Sequence, residues 1–151
     1  MSADVHTTFV ERWFEAVWNQ GHDGWIDDCV PPDSLAHGLF DQDRPARGPD
    51  GFRAFWTTFR SAFSDIHFDI HEVMMAGPRP GDADGVTREV CRWLATAVHT
   101  GAFGGVMPTG RAVRIGGTTW MHVRDRQIRQ SWTHWDQQGL LDQLAGAEPG
   151  A

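Results

Sequence analysis

The chain has 151 residues and a mass of 16.9 kDa, the size of one domain with a single core, and folding should bury roughly 70% of the surface its unfolded form exposes. Its 40% hydrophobic and 22% charged residues, with a mean hydropathy of −0.41, fit neither a disordered chain nor a membrane span, and no apolar run approaches the ~18 residues a transmembrane helix needs. Thirteen arginines and no lysine stand against 20 carboxylates for a net charge of −7, which argues against a nucleic-acid partner. The N-terminal residues show no basic stretch followed by an apolar one, so residence in the cytoplasm is expected. Cys29 and Cys91 are too few for a disulfide framework and read as buried thiols. Eight Trp, nine Phe and no Tyr supply large rigid apolar surface with no phenolic hydroxyls to satisfy, which suits either a solid aromatic core or the walls of an apolar cavity.

From Asp4 to Gln20, Phe9, Val10, Trp13, Phe14, Val17 and Trp18 recur at helical spacing opposite Glu11, Arg12 and Glu15, and Gly21 stops the run. Asp23 is placed to cap a short helix carrying Trp25, Ile26, Cys29 and Val30, which Pro31 and Pro32 end. An extended piece from Leu35 to Phe40 and a polar loop from Asp41 to Gly48 follow, and Pro49 opens a third helix with an aromatic stripe of Phe52, Phe55, Trp56, Phe59 and Phe63. From Ile66 the period becomes two. Ile66, Phe68 and Ile70 alternate with His67, Asp69 and His71. After a turn over Gly77 to Gly85, Val86 to Thr100 reads as a long strand with Cys91, Trp93, Ala95, Ala97 and His99 on one face and Val90, Arg92, Leu94, Thr96 and Val98 on the other. A glycine-rich loop from Gly101 to Gly110 leads to a strand whose Val113, Ile115, Met121 and Val123 face inward against Arg114, His122 and Arg124. A tight turn at Asp125 and Arg126, a strand from Gln127 to Trp135 and a helix capped by Asp136 and carrying Leu140, Leu141 and Leu144 complete the chain, with a frayed tail from Gly146. Helices that precede a run of antiparallel strands make the fold class α+β, and one domain accounts for the chain.

Several of these segments match one family in order: Asn19-Gln20-Gly21 at a helix end, Gly48-Pro49-Asp50-Gly51 at a helix opening, and Phe63-Ser64-Asp65 before a strand. His99-Thr100-Gly101, Pro108-Thr109-Gly110-Arg111, and Asp136 followed by Gly139-Leu140-Leu141 and Gln143-Leu144 continue the series. Over about residues 5 to 146 the chain resembles the SnoaL-like polyketide cyclases, and the ordered set is far more specific than any single motif. The resemblance implies a nuclear transport factor two-like fold, in which a curved antiparallel sheet wraps around helices as a cone with a deep apolar pocket. It also implies pairing of two copies through the outer sheet face, and cofactor-free intramolecular aldol closure of a polyketide ring with an aspartate as general acid and base. The family's aspartate falls at Thr133, and its pocket histidine on the preceding strand falls near Thr119. Threonine has no accessible pKa with which to take a proton from carbon, so the mechanism does not transfer unchanged.

Other proton-transfer candidates are His99, which shares a strand face with Trp93, Ala95 and Ala97, and His37, at a position where the family often carries a pocket histidine. The plainer role for His99 is a strand-end residue bonding the loop backbone. Asp136 is a third candidate, an acid or base if it turns inward and pairs with His134, although capping the last helix explains it more simply. Alternation puts Ser131, Thr133 and Trp135 on one face of the last strand and Trp132 and His134 on the other without deciding which is inside; the family alignment favours Thr133 inward, leaving Trp132 and His134 to join Trp120 on an outer pairing surface. His67, Asp69 and His71 have the spacing of zinc or iron ligands, but their apolar neighbours turn the trio to water and no metal is expected. Gly104-Gly105 and Gly116-Gly117 do not stand between a strand and a helix N-terminus, so they are not phosphate loops.

The expectation is therefore a cofactor-independent enzyme for a hydrophobic, carbonyl-bearing small molecule, acting by cyclisation or isomerisation. Trp13, Phe14, Val17, Phe55, Trp56, Phe59, Trp93, Phe103, Thr119, Met121 and Trp135 would hold the substrate, with His99, His37, Thr133 and Asp136 as catalytic candidates. The alternatives are a non-catalytic small-molecule-binding or dimerisation module, which Thr133 itself raises, and an epoxide hydrolase-like enzyme. The latter needs an Asp-Arg-Asp arrangement, whereas Arg92 faces away from Trp93 and has Leu94 two residues on.

Overall fold

The structure is a computed structural model that describes residues 7–41, 43–78, 80–81 and 84–149. Its first helix, α1 (Phe9–Trp13), starts later than the apolar spacing suggests, because Thr8 and Glu11 form a reciprocal capping box. The Glu11 carboxylate accepts the Thr8 N–H at 3.2 Å, and the Thr8 hydroxyl accepts the Glu11 N–H at 3.3 Å. Glu89, buried in the sheet, accepts the Val10 N–H at 3.0 Å, so a third first-turn donor is satisfied. Asp4, at the expected start, lies outside the described residues.

The chain continues as a π-helix over Phe14–Asn19, which the periodicity does not reveal. Gly21, at φ +72, ends it. The side chain of Asn19 then behaves like a strand partner: its amide donates to the Phe68 carbonyl at 3.0 Å and its oxygen accepts the Phe68 N–H at 2.7 Å. The open edge of the sheet is thereby tied to the helices.

Helix α2 (Gly24–Cys29) forms where expected, but Asp23 makes no side-chain cap bond; its own backbone is already helical, and its carboxylate lies 3.9 Å from the Arg53 guanidinium. Strand β1 (Leu35–His37) is shorter than the expected extended piece, and a two-residue strand β2 (Ala46–Arg47) pairs with it. Pro49 sits in the first turn of α3 (Gly48–Ala62), as its fixed φ and missing N–H favour. Phe63, expected on the helical stripe, is the first residue of β3 (Phe63–Ala76).

Strands β4 (Thr87–His99), β5 (Ala112–Arg124) and β6 (Gln127–Trp135) follow the predicted alternation, and Asp125 and Arg126 form the β5–β6 turn with φ 52 and 61, the paired left-handed geometry of a two-residue hairpin. The sheet order is β2-β1-β6-β5-β4-β3. The expectation of antiparallel pairing holds from β3 to β6 and fails at β1, which runs parallel to β6 with His37 opposite Trp132. Register shifts between Ser64 and His67 and between Ile70 and Glu72 bend β3 over the helices, which lie on the concave face. Helix α4 (Gln137–Leu144) is pinned to β5 by the buried Gln143, whose amide accepts the Arg114 N–H and donates to its carbonyl, each at 2.9 Å. Among the described residues no helix is long and apolar enough to cross a membrane.

Candidate functional site

The concave face is hollow. A cavity of about 70 Å³ lies between the helices and the sheet. Trp13 of α1 and Phe14 and Trp18 of the π-helix form one wall; Phe52, Phe55 and Phe59 of α3 form the second; Phe63, Ile66 and Phe68 of β3 form the third. Ala95 and Ala97 of β4 and Ile115 and Met121 of β5 make a smooth floor, and Leu39 closes the β1 side. The volume is about half the ~150 Å³ that admits benzene in an engineered apolar cavity, so a ring enters only when lining side chains move. Rings gather where the cavity meets the surface: Phe40, 39% exposed, touches Phe55, Phe59, Phe103 and Trp135 at centroid separations of 4.6 to 6.4 Å.

One corner of this apolar space is polar. Trp93 Nε1 donates to Thr119 Oγ1 at 3.0 Å, and Thr119 Oγ1 stands 3.2 Å from Thr133 Oγ1, with the Ser131 side chain two residues back along the same face of β6. The two threonines are direct cross-strand partners, which brings their side chains together on the concave face. Two glycines make the corner possible. Gly117 is the cross-strand partner of Trp93, and a Cβ there would overlap the indole ring. Gly38, at φ +78, lets the chain leaving β1 pass so close to β6 that a Cβ would overlap the Thr133 carbonyl oxygen. Trp135 Nε1, in turn, donates to the carbonyls of Gly38 and Leu39.

Of the expected ligand-holding residues, Trp13, Phe14, Phe55, Phe59, Trp93, Thr119, Met121 and Trp135 line the cavity, as does Thr133. Val17 does not; it is fully buried behind the wall. Trp56 leaves the lining by donating its indole N–H to the Val17 carbonyl and lying under the Arg60 guanidinium. Phe103 belongs to the ring cluster at the rim, 5.3 Å from both Phe59 and Phe63. Trp18, Phe52, Phe63 and Phe68, which line the cavity, were not singled out as ligand-holding by the sequence, although each sits in a recognisable aromatic stripe or alternation.

The ionisable candidates lie elsewhere. His99 is fully buried one position beyond Ala97 on its strand face, against Phe63, and its Nδ1 accepts the Thr109 N–H at 3.2 Å. The same Nδ1 lies 2.9 Å from the Thr109 hydroxyl and Nε2 is buried without a hydrogen-bond partner, so the imidazole clamps the glycine-rich loop and does not line the cavity. His37 follows its register with Trp132 onto the convex face, where it stacks on that indole at 5.3 Å and meets Gln130 at 2.8 Å. Asp136 is exposed and caps α4 by accepting the Gly139 N–H at 2.8 Å. Cys91 is buried, and burial pushes its thiol up to about 12, which removes it as a nucleophile. Arg92 is exposed beside Glu72. No cluster of three His, Cys, Asp or Glu among the described residues is arranged to hold a metal ion. Among the described residues, no ionisable side chain lines the cavity.

The convex face carries Trp120, 48% exposed, beside Trp132, His122 and His134. Burial and the nearby Arg88 guanidinium lower the pKa of His122.

A curved sheet closed over helices around an aromatic-lined hollow defines a cone-shaped domain of the nuclear transport factor two-like class. The profile of SnoaL-like polyketide cyclases matches residues 8–144, and the chain belongs to that family. A candidate polyketide cyclase of Acidithiobacillus ferrooxidans is similar at 25% identity and a TM-score of 0.72, over 93% of this chain and 94% of that one. Wild-type IdmH, a candidate polyketide cyclase of Streptomyces antibioticus, is similar at 24% identity and 0.72 over 91% and 96%. A candidate SnoaL-like polyketide cyclase of Jannaschia is similar at 18% identity and 0.75 over 93% and 91%. No curated protein matches the chain in sequence.

Proposed function

We propose that the chain binds a flat, neutral, apolar small molecule of the aromatic polyketide type in this cavity, and that any ring closure it promotes there runs by confinement and hydroxyl hydrogen bonding. Proton abstraction from carbon, the family's aldol route, has no ionisable side chain to carry it among the described residues that line the cavity. One observation supports this reading above the others: the lining is aromatic and aliphatic with hydroxyls at one corner, and none of its side chains titrates near neutral pH. An enclosed apolar site of this kind contributes by selecting a reactive conformer and by aiming a donor at an oxygen that gains charge. Binding without chemistry is the limiting case, in which only the cavity's affinity is used. The exposed Trp120 beside Trp132 supports pairing of two copies through the convex face.

The test is a panel of hydroxylated anthraquinones and anthrones followed by tryptophan fluorescence, since Trp13, Trp18, Trp93 and Trp135 all line the cavity. Saturable quenching is expected, and any turnover found should be flat from pH 5 to 9. A bell-shaped rate profile that vanishes in His99→Ala would overturn the reading, because it would place an acid or base in the reaction.

A further inference from the structure

We infer that the hydrogen-bonded series Trp93, Thr119, Thr133 makes the cavity selective for a ligand with a neutral carbonyl oxygen, and that Thr133 is the residue that determines this. The inference rests on the proposal that the cavity holds an apolar small molecule.

The donor count fixes the polarity of the series. An indole N–H can only donate, so Thr119 Oγ1 accepts from Trp93 at 3.0 Å. The two threonine hydroxyls share one further bond at 3.2 Å. They own two protons between them and this bond uses one, so one hydroxyl proton is left over whichever way the bond runs. Thr119 is 3% exposed and already meets two partners, whereas Thr133 meets Thr119 alone and is less deeply buried. Donation from Thr119 to Thr133 therefore leaves the Thr133 O–H as the donor for an occupant. The bonds run in one direction from the indole, and each polarises the next, which strengthens the terminal donor.

Charge restricts the occupant further. Among the described residues, no cationic side chain lines the cavity to balance a carboxylate or phosphate, and no anionic one to balance an amine. A ketone or quinone oxygen uses the spare proton and brings none of its own, while its carbon frame meets the aromatic walls. Trp93 and Gly117 act as positioning residues, because the indole reaches Thr119 only where β5 has no side chain to displace it.

The experiment compares 1-indanone with indane, a fused pair of nearly equal shape that differs by one carbonyl oxygen. Each is titrated calorimetrically into the full-length protein and into Thr133→Val, Thr133→Ala and Thr133→Ser. A carbonyl left without its donor in an apolar site loses roughly tenfold in affinity. The ratio of indanone to indane affinity should fall by about that factor in the Val and Ala variants, with indane unchanged, and Ser should retain the wild-type ratio. The carbonyl stretching band of bound indanone should lie at lower frequency in the wild type and in Thr133→Ser than in the other two. Two hydroxyl-deleting variants keep the test available should one of them fold poorly. An unchanged ratio and an unshifted band, with both ligands still binding, would overturn the role of Thr133 and leave the cavity proposal standing. Failure of both ligands to bind any variant or the wild type would overturn the cavity proposal, and this inference with it.

Discussion

Replacing Gly117 by alanine should destabilise the protein mainly through Trp93. Gly117 does not occupy the left-handed region, so its backbone tolerates alanine, and in an open strand the exchange would stabilise by roughly 0.5–1 kcal/mol. Here the new methyl would overlap the Trp93 ring and crowd the His134 carbonyl. Overpacking of a filled interior costs about 1–3 kcal/mol, and displacing the indole strands its buried N–H for about 1–3 kcal/mol more. The net expectation is a loss of about 1–5 kcal/mol, which for a chain of this size lowers Tm by roughly 2–20 °C. Urea unfolding followed by far-UV circular dichroism measures the loss, and near-UV dichroism reports the tryptophan environment. The same exchange in a Trp93→Leu background decides the cause, because the ring is then gone, only the crowding of the His134 carbonyl remains, and Gly117→Ala should cost markedly less than in the wild type. A neutral single variant, or an equal loss in both backgrounds, would refute the assignment of Gly117 as the seat of the indole.

Asn19→Ala should remove both bonds to Phe68, destabilise by about 1–3 kcal/mol, and sharply accelerate hydrogen exchange at the Phe68 amide; an amide equally protected in the variant contradicts the strand-like role of Asn19. The Cys91 thiol keeps its proton when folded up to about 12 and loses it near 9 when unfolded, so the unfolded state binds fewer protons between those values. Stability should thus be fully present below pH 9 and fall by up to about 1.4 kcal/mol per pH unit above it, and denaturant titrations of Cys91→Ala should show a shallower slope over that range. Phe40→Ala should speed ligand association several-fold while costing under about 1.5 kcal/mol of stability, since the ring is 39% exposed and packs on Phe55, Phe59 and Trp135, which line the cavity. Stopped-flow quenching with an unchanged association rate would show that entry lies elsewhere.

Strand faces were legible wherever apolar and polar residues alternate without ambiguity. On β4 a period of two grouped Cys91, Trp93, Ala95, Ala97 and His99 on one face, and that face is the inner one. On β6 the same rule is silent, because Trp132 and Trp135 fall on opposite faces; the inward turn of Thr133 came from the family alignment. The stripe on α3 was visible, but its rings span more than one helical face, so one edge has to leave the cavity. Trp56 is that edge, and Arg60, one turn on, is the sequence cue for it. The π-helix left no trace in the spacing, and Phe14 and Trp18, four residues apart on it, line the cavity while Val17 stays behind them. His37 could not be placed before the parallel β1–β6 register was known, since that pairing alone assigns it the face of Trp132.

The residues that form the cone and the residue that sets its chemistry are largely separable. Walls, caps and glycines fix a hollow whose shape depends on packing, while position 133 faces the hollow from β6, opposite Thr119. A carboxyl there, as the family alignment implies for cyclising members, would be pushed upward in pKa by the surrounding rings, and a donor such as Thr119 would lower it again. That balance would hold it near the range useful for moving protons from carbon. A hydroxyl in the same place has no such range, and what the enclosure enhances instead is the strength of its hydrogen bond. On the proposed reading, the same hollow would support base chemistry or carbonyl recognition according to one side chain, and the hydrogen-bonded indole of Trp93 and the two threonines beyond it are the grounds for proposing recognition in this chain.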